Sequence, residues 1–364
     1  MKLILLFFLL SPLLVFSQKI TGRVLNAEDN KPVPGASIFL ANATVGNSSN
    51  NEGAFTLNNV KPGQYELAVS VVGFETYRTN VLMASSDIVL TDIKLKPKAI
   101  ELKEVSITPD KNWVEKYELF KREFLGPSKL AQKCKILNPE VLTLQYEDHK
   151  VVLTGSSYDF LEIENHELGY RIKYLLNKFI RNAKTGLVYY EGSPLFTDMK
   201  GTPSQVKRWQ KKRLDVFKGS SMHFLRSVLG NRLTEDGFEV RRLIRKKDSA
   251  GRALFGNAQL LVKTPLAVTD FTKLTDIKGI YALSFSDFLY VMYTKKRERH
   301  DFRPAYQPAD APDYATSVIG FEDEYGFFDS NGVMVNPAGV VFEGAWAGQR
   351  MAEMLPVDYT PPAK

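Results

Sequence analysis

KPGQYELAVSV, residues 61–71, decides the fold of the N-terminal part of the chain. Its Pro-Gly pair predicts a turn, and apolar side chains then recur at every second position, which is the period of a β-strand. We expect one face of this strand to point into a core and the other to face outward: Tyr65, Leu67, Val69 and Val71 inward, and Glu66, Ala68 and Ser70 outward. The stretch therefore predicts a half-buried strand that begins directly after a turn.

Short runs of the same type lie on both sides of this stretch, and each is bounded by Gly, Pro or Asn. Predicted strands cover residues 19–25, 36–40, 54–57, 65–72, 77–83 and 88–95, and a polar hairpin covers residues 47–53. Six or seven strands within about 80 residues are typical of a β-sandwich, in which two sheets enclose a thin core. We therefore expect residues 18–97 to form one all-β domain.

Five motifs of this region resemble those of the carboxypeptidase regulatory-like domain. They are Ile20-Thr21-Gly22-Arg23-Val24, Pro34-Gly35-Ala36, Asn51-Glu52-Gly53-Ala54-Phe55, Pro62-Gly63-Gln64-Tyr65 and Val72-Gly73-Phe74. They follow the family's order and span residues 18–97. The resemblance implies a seven-stranded, transthyretin-like β-sandwich.

The zinc carboxypeptidases that gave this family its name bind zinc through an H-x-x-E pair and a distant histidine. The four histidines of this chain are His149, His166, His223 and His300, and none has Glu at the third following position. The zinc carboxypeptidase motif is therefore absent. We expect neither a metal nor another cofactor.

Residues 1–17 have the pattern of a secretory signal peptide. Lys2 precedes an apolar run that Ser11-Pro12 interrupts, and the small residue Ser17 stands at the expected cleavage position. The run is too short to span a bilayer. We expect an exported protein, located in the periplasm or associated with the outer membrane or cell surface.

The single cysteine, Cys134, excludes an internal disulfide, and we expect it to be buried.

Export removes nucleic acid from the expected partners, and the sequence contains no phosphate-binding loop motif. Residues 98–111 resemble the linker that follows this sandwich in outer-membrane receptors of the Bacteroidetes. That resemblance implies an outer-membrane protein complex as one candidate partner.

Residues 112–364 are predicted to form a larger, mainly antiparallel α+β domain. We expect helices at 113–124 and 202–230, and strands at 142–146, 151–154, 160–175, 187–190, 238–244, 258–263, 280–285 and 289–293. Thr202 or Ser204 is expected to cap the second helix. Residues 219–238 and 328–359 resemble an uncharacterised C-terminal region that follows this sandwich in exported Bacteroidetes proteins.

The net charge of +7 is concentrated in one part of this second domain. Residues 201–250 contain thirteen basic and five acidic side chains. The predicted patch for an anionic partner consists of Lys207, Arg208, Trp209, Lys211, Lys212, Arg213, Arg241, Arg242 and Arg245. Lipid headgroups, acidic glycans and acidic envelope proteins all fit such a patch, with Trp209 at the contact surface and the protein in peripheral contact with a membrane. In the alternative interpretation the helix face is solvated and Trp209 packs inward.

The function predicted from these features is that of a non-catalytic envelope binding or accessory protein, and we assign no catalytic residue. The alternative is a hydrolase that acts on glycan or peptide. Its candidate groups are Ser220 or Ser221 with His223, and a carboxylate pair that joins the acidic loop 322–324 to Glu162 or Glu164. No known spacing rule supports either set.

Overall fold

The computed structural model describes residues 18–84, 86–98, 112–147, 149, 151–246, 258–298 and 304–362. The expected signal peptide and most of the expected linker lie outside the described residues. The chain divides into two compact units. The first comprises Met1–Phe39 and Val45–Ala99, and the second comprises Leu40–Thr44 and Ile100–Lys364.

The first unit is a β-sandwich, as predicted. Its strands are β1 (Gln18–Asn26), β2 (Ser37–Leu40), β3 (Gly46–Ser48), β4 (Ala54–Val60), β5 (Gly63–Ser70), β6 (Tyr77–Met83), β7 (Ile88–Val89) and β8 (Ile93–Leu95). One sheet has the order β4-β1-β7, with β8 also paired to β1, and the other has the order β3-β2-β5-β6. Turn residues bound the strands where the sequence predicts them.

The described part of the first unit has eight strands, where seven were predicted, and β5 ends at Ser70, so that Val71 lies outside the strand in which it was expected. The expected strand 88–95 is two short strands, β7 and β8, which both pair with β1 and are separated by residues 90–92. In this interval Asp92 binds the guanidinium of Arg23. In β5, Tyr65, Leu67 and Val69 are buried as expected, but Ala68 is 0% exposed as well. The outward orientation predicted for Ala68 is wrong because β5 is covered on both faces at this position.

The second unit contains six α-helices in the described residues: α1 (Trp113–Leu125), α2 (Pro203–Phe217), α3 (Ser221–Leu229), α4 (Leu233–Asp236), α5 (Val268–Phe271) and α6 (Ala345–Gly348). Short 3-10 helices cover Ala131–Lys133, Pro139–Val141, Pro337–Gly339 and Met351–Glu353. No helix in the described part of the chain has the length and apolar character needed to cross a bilayer.

The strands of the second unit continue the numbering. They are β9 (Cys134–Ile136), β10 (Leu142–Glu147), β11 (Val152–Ser157), β12 (Leu161–Asn165), β13 (Tyr170–Asn182), β14 (Val188–Asp198), β15 (Phe238–Arg245), β16 (Gln259–Pro265), β17 (Thr272–Leu274), β18 (Ile280–Leu283), β19 (Phe288–Arg297), β20 (Tyr314–Phe321), β21 (Gly326–Asp329) and β22 (Val340–Gly344). They form three sheets with antiparallel pairing. The α+β prediction is confirmed.

The first of these sheets has the order β10-β11-β13-β12-β9, with β14 paired to β13. Helix α1 packs on it because its apolar residues recur three to four positions apart. Phe120 and Phe124 are fully buried and contact Phe179 and Tyr174 edge to face. Cys134 is buried beside this core, as predicted, and burial raises the pKa of its thiol to about 12.

The second sheet has the order β16-β15-β19-β20-β22, and the third has the order β17-β18-β21. One face of the second sheet packs with Phe224 of α3 and Trp346 of α6. Its other face carries a smaller cluster that includes Leu243, Tyr290 and Val318. Both faces of this sheet are therefore largely covered.

Two predicted elements of the second unit are each interrupted at a glycine. The expected strand 160–175 is the hairpin β12–β13, whose turn contains Gly169 at φ +68°. The expected helix 202–230 is two helices, because Gly219 adopts φ +81° and Ser220 caps α3. The predicted strand and the predicted helix each ran through one of these glycines, whose positive φ ends the regular element.

Candidate functional site

The N-terminus of α2 is defined by its cap, as the sequence predicts. The backbone N–H of Gln205 donates to Thr202 Oγ1, and the backbone N–H of Thr202 donates to Gln205 Oε1 at 2.8 Å. Pro203 occupies the first helical position, where no N–H is needed. This capping box sets where α2 begins and so fixes the register of its basic residues.

Trp209 lies on the inner face of α2. It is 5% exposed, and its indole packs against Gly169 and Gly201, where a Cβ atom would overlap the ring. Its Nε1–H donates to the carbonyl oxygen of His166 at 2.9 Å. Of the two alternatives for Trp209, the position at a contact surface is therefore wrong and the inward packing is confirmed, because the ring packs into the body of the second unit.

Lys212 and Arg213 also attach α2 to the turn between β12 and β13. The guanidinium of Arg213 donates to the carbonyl oxygens of Leu168 and Gly169 at 2.7 and 3.0 Å. It also pairs with Asp198 at 2.7 Å and lies 3.7 Å from the ring centroid of Tyr170. Lys212 pairs with Glu167 of the same turn. Lys212 and Arg213 therefore both have partners within the second unit.

The outer face of α2 carries three further cations, Lys207, Arg208 and Lys211, and all three are exposed. Among the described residues, no carboxylate lies within ion-pair distance of any of them. Lys207 and Lys211 are one helical turn apart, so their like charges repel. These three residues form what we call the α2 cation face.

The arginines of β15 have carboxylate partners. Arg241 pairs with Glu239 at 2.5 Å, and Arg242 pairs with Asp287 at 2.6 Å. Arg241 and Arg242 of the predicted patch are therefore each paired with a carboxylate of the second unit.

Arg245 is more deeply enclosed than its two neighbours on β15, with a side chain only 1% exposed. Its guanidinium makes two hydrogen bonds to Glu343, at 2.7 and 2.9 Å, and one to Gln259. It also stacks on Phe288, 4.4 Å from the ring centroid. Of the nine predicted patch residues, the structure thus leaves only the α2 cation face free.

Ser220 and His223 are hydrogen-bonded to the backbone. Ser220 Oγ donates to the carbonyl oxygen of Phe217 at 2.8 Å and accepts from the backbone N–H of His223. His223 Nδ1 accepts from the backbone N–H of Gly219 at 3.1 Å, and burial lowers the pKa of this histidine to about 4. Ser220 therefore caps α3, and within the described structure its hydroxyl makes no hydrogen bond to the imidazole of His223.

The candidate carboxylates lie on different sheets. Glu164 accepts from Arg171 at 2.6 Å, and this hydrogen bond lowers the pKa of the carboxyl, while Glu162 lies 4.0 Å from Lys173. Glu322, Asp323 and Glu324 follow β20 in an exposed loop. In the described ranges, no group of three or more His, Cys, Asp or Glu side chains is arranged to hold a metal ion.

One basic cluster was missed by the sequence reasoning. Arg122, Arg181 and Arg350 converge on the carboxylate of Glu123, beside a groove of about 600 Å³. The sequence signal for Arg181 was its position two residues after the buried Phe179 on β13. Alternate residues of a strand share a face, so Arg181 lies on the face of β13 that points to the core.

A family comparison identifies the N-terminal domain. Residues 20–107 match the model of the CarboxypepD_reg-like domain, which accounts for the sandwich of the first unit. No curated protein matches the chain.

Solved structures of low similarity include a type II cohesin–X-dockerin complex from Acetivibrio cellulolyticus, with 15% identity over 21% of this chain and 56% of that chain, and a TM-score of 0.20. The pilus 2b backbone protein of group B streptococcus has 15% identity over 22% of this chain and 42% of that chain, also with a TM-score of 0.20. The shaft pilin SpaA from Lactobacillus rhamnosus GG has 15% identity over 23% and 48%, again with a TM-score of 0.20. The chain thus spans about half the length of these proteins, and nothing about function follows from them.

Proposed function

We propose that this protein is an exported component of a bacterial cell envelope and binds an anionic partner through the α2 cation face without catalysing a reaction. The signal-peptide pattern of residues 1–17 supports export. The resemblances of residues 98–111, 219–238 and 328–359 favour an origin in the Bacteroidetes and a location in the periplasm or at the outer membrane.

The observation that carries the proposal is the absence of carboxylate partners around Lys207, Arg208 and Lys211 in the described structure. Other cations of the same region, such as Arg213, Arg242 and Arg245, are paired. Repulsion between like charges one turn apart costs a few tenths of a kcal/mol, and an anionic partner would offset it. The inner face of α2 is held by Trp209 and Arg213, so the three cations project from a fixed helix.

The composition of this face favours a phosphate-rich or otherwise polyanionic surface. Each Lys or Arg near an anionic membrane contributes about 1 kcal/mol, so three contribute about 3 kcal/mol. Because Trp209 is buried, α2 offers no aromatic anchor for insertion into lipid. Binding would therefore be peripheral, reversible and weakened by salt.

The test is sedimentation of the purified protein with vesicles that contain phosphatidylglycerol, compared with vesicles of phosphatidylcholine alone. The triple variant Lys207→Gln, Arg208→Gln, Lys211→Gln should lose about 100-fold in partitioning to the anionic vesicles. The matched control is Lys263→Gln, Lys273→Gln, Lys278→Gln, which removes the same charge from exposed positions of the same unit. This control should bind nearly as well as the unmodified protein.

A second arm separates the partner classes. A soluble acidic glycan that competes with the vesicles identifies a general polyanion site, whereas selective binding to the vesicles identifies a lipid surface. Capture of one envelope protein from native membranes, lost in the triple variant, identifies a protein partner instead. If the triple variant retains every interaction of the unmodified protein, the proposal is wrong.

A further inference from the structure

A groove of about 600 Å³ lies between α1 and the first sheet of the second unit. It is lined by Glu115, Glu118, Leu119, Arg122 and Tyr146. Glu118 and Leu119 lie three and four positions after Glu115, and Arg122 lies four and three positions after them, so the four residues form one stripe of the helix. Tyr146 belongs to the cross-strand row Tyr146, Leu153, Arg181 and Val188, whose side chains share the face of the sheet that packs with α1.

Three guanidinium groups meet the carboxylate of Glu123, and of these groups Arg122 is the one that lines the groove. Arg122 contacts Glu123 Oε1 at 3.1 Å, and Arg350 contacts Glu123 Oε2 at 3.2 Å. Arg181 lies 3.9 Å from Oε1, a distance that is too long for a hydrogen bond. The cluster therefore holds three positive charges against one negative charge.

Arg181 has donors that the described structure does not use. Its side chain is 25% exposed, and its guanidinium makes no hydrogen bond to any described residue. A guanidinium carries five N–H donors, and removing them from water without acceptors is unfavourable. The exposed quarter of the side chain leaves room for an external acceptor to approach.

The charges along the groove differ in sign at its two ends. Glu115 and Glu118 lie toward the N-terminus of α1, and Arg122 lies seven residues beyond Glu115. Seven residues of α-helix rise about 10 Å, and an extended peptide of three residues covers about the same distance. Leu119 and Tyr146 provide apolar and aromatic surface between the charged ends.

We propose that this groove binds a short zwitterionic peptide of about three residues. Its terminal carboxylate accepts hydrogen bonds from Arg122 and Arg181, which match the planar fork geometry that carboxylates prefer. Its terminal ammonium lies near Glu115 and Glu118, and its backbone runs along Leu119 and Tyr146. This site is separate from the α2 cation face and does not depend on the function proposed for it.

The test is titration of the full mature chain with tri-alanine, followed by calorimetry and by the NMR signals of the arginine Nε–H groups. Free tri-alanine should bind with millimolar or tighter affinity, and amidation of its C-terminus should weaken binding about tenfold or more. Acetylation of its N-terminus should weaken binding less, because Glu115 and Glu118 are exposed.

The variant Arg181→Gln should weaken binding of free tri-alanine by part of the loss that amidation causes, and amidation should cost less in this variant than in the unmodified protein, because only Arg122 then contacts the carboxylate. Arg171→Gln is the matched control, because Arg171 lies on the same strand but pairs with Glu164 on the opposite face. Arg181→Lys, which keeps the charge but not the fork, should bind with intermediate affinity, and thermal unfolding checks that each variant is folded. The proposal is overturned if tri-alanine shows no saturable binding at millimolar concentration, or if the amidated peptide binds equally well.

Discussion

Helix α2 and strand β15 carry similar clusters of basic residues, but the two clusters differ in whether carboxylates lie beside them. On β15, Arg241, Arg242 and Arg245 each contact a carboxylate. On the outer face of α2, no described carboxylate pairs with Lys207, Arg208 or Lys211. One cluster is therefore part of the protein's internal electrostatics, whereas the other presents charge to solvent.

The difference arises from residues that are distant in sequence. Asp287 lies 45 residues from Arg242, and Glu343 lies 98 residues from Arg245. Asp287 directly precedes β19, which pairs with β15, and Glu343 lies on β22 of the same sheet. No described carboxylate comes within ion-pair distance of the three cations on the outer face of α2. A count of basic residues within one segment therefore overstates the charge that a partner would meet.

The largest expected effect comes from breaking the buried pair of β15. Glu343→Ala leaves the guanidinium of Arg245 enclosed and without its carboxylate, and we expect the free energy of unfolding to fall by about 3–5 kcal/mol. Urea denaturation measures this loss. The control Asp287→Ala, which breaks the more exposed pair of Arg242, should cost less than about 1 kcal/mol. Equal losses in the two variants would contradict the distinction between a buried and an exposed pair.

The next largest effect is expected where Trp209, on the inner face of α2, packs against Gly169. Gly169→Ala places a Cβ atom inside the indole of Trp209 at a residue with φ +68°, and we expect a loss of about 2–4 kcal/mol. Gly186→Ala is the matched control, since Gly186 has φ +72° but open space around it. The control should cost only about 1 kcal/mol. Denaturant midpoints for the two variants measure the packing contribution of Trp209.

A pH titration of stability tests the burial of His223 in the second unit. The folded pKa of His223 is about 4 because of burial, below its value of about 6.5 in the unfolded chain. The unfolded state therefore binds the proton first as the pH falls, and stability declines between about pH 6.5 and pH 4. We expect a loss on the order of 2 kcal/mol, which the variant His223→Gln should abolish. A pH dependence that is the same in both proteins would assign the effect to other groups.

The smallest effect on stability is expected at the α2 cation face itself. The triple variant Lys207→Gln, Arg208→Gln, Lys211→Gln removes no internal contact and relieves like-charge repulsion. We expect its free energy of unfolding to stay within about 0.5 kcal/mol of that of the unmodified protein. Thermal and urea denaturation both test this. A large loss would mean that these cations contribute to folding.

The sequence predicts elements whose signals are local. Pro62-Gly63 and the alternation of Tyr65, Leu67 and Val69 locate β5, and Thr202 with Gln205 locates the start of α2. These features depend on turn chemistry and side-chain period within a few residues.

Features that depend on tertiary contacts were not predicted. Ala68 is buried because both faces of β5 are covered. Inward packing of Trp209 was one of two alternatives, and its contacts with Gly169 and Gly201 decide between them. The carboxylates that pair with Arg242 and Arg245 lie 45 and 98 residues away in sequence, and Arg350 reaches Glu123 from a position 227 residues away. Neither the spacing of apolar residues along the chain nor its composition predicts which distant residues will pair.

The central claim is that the α2 cation face, and not the basic region as a whole, binds an anionic partner. The most direct measurement is the partition coefficient to phosphatidylglycerol vesicles as cations are removed one at a time. Each replacement among Lys207, Arg208 and Lys211 by Gln should lower it about fivefold, whereas Arg242→Gln should leave it nearly unchanged. Equal effects at all four positions, or no effect at any of them, would contradict the account.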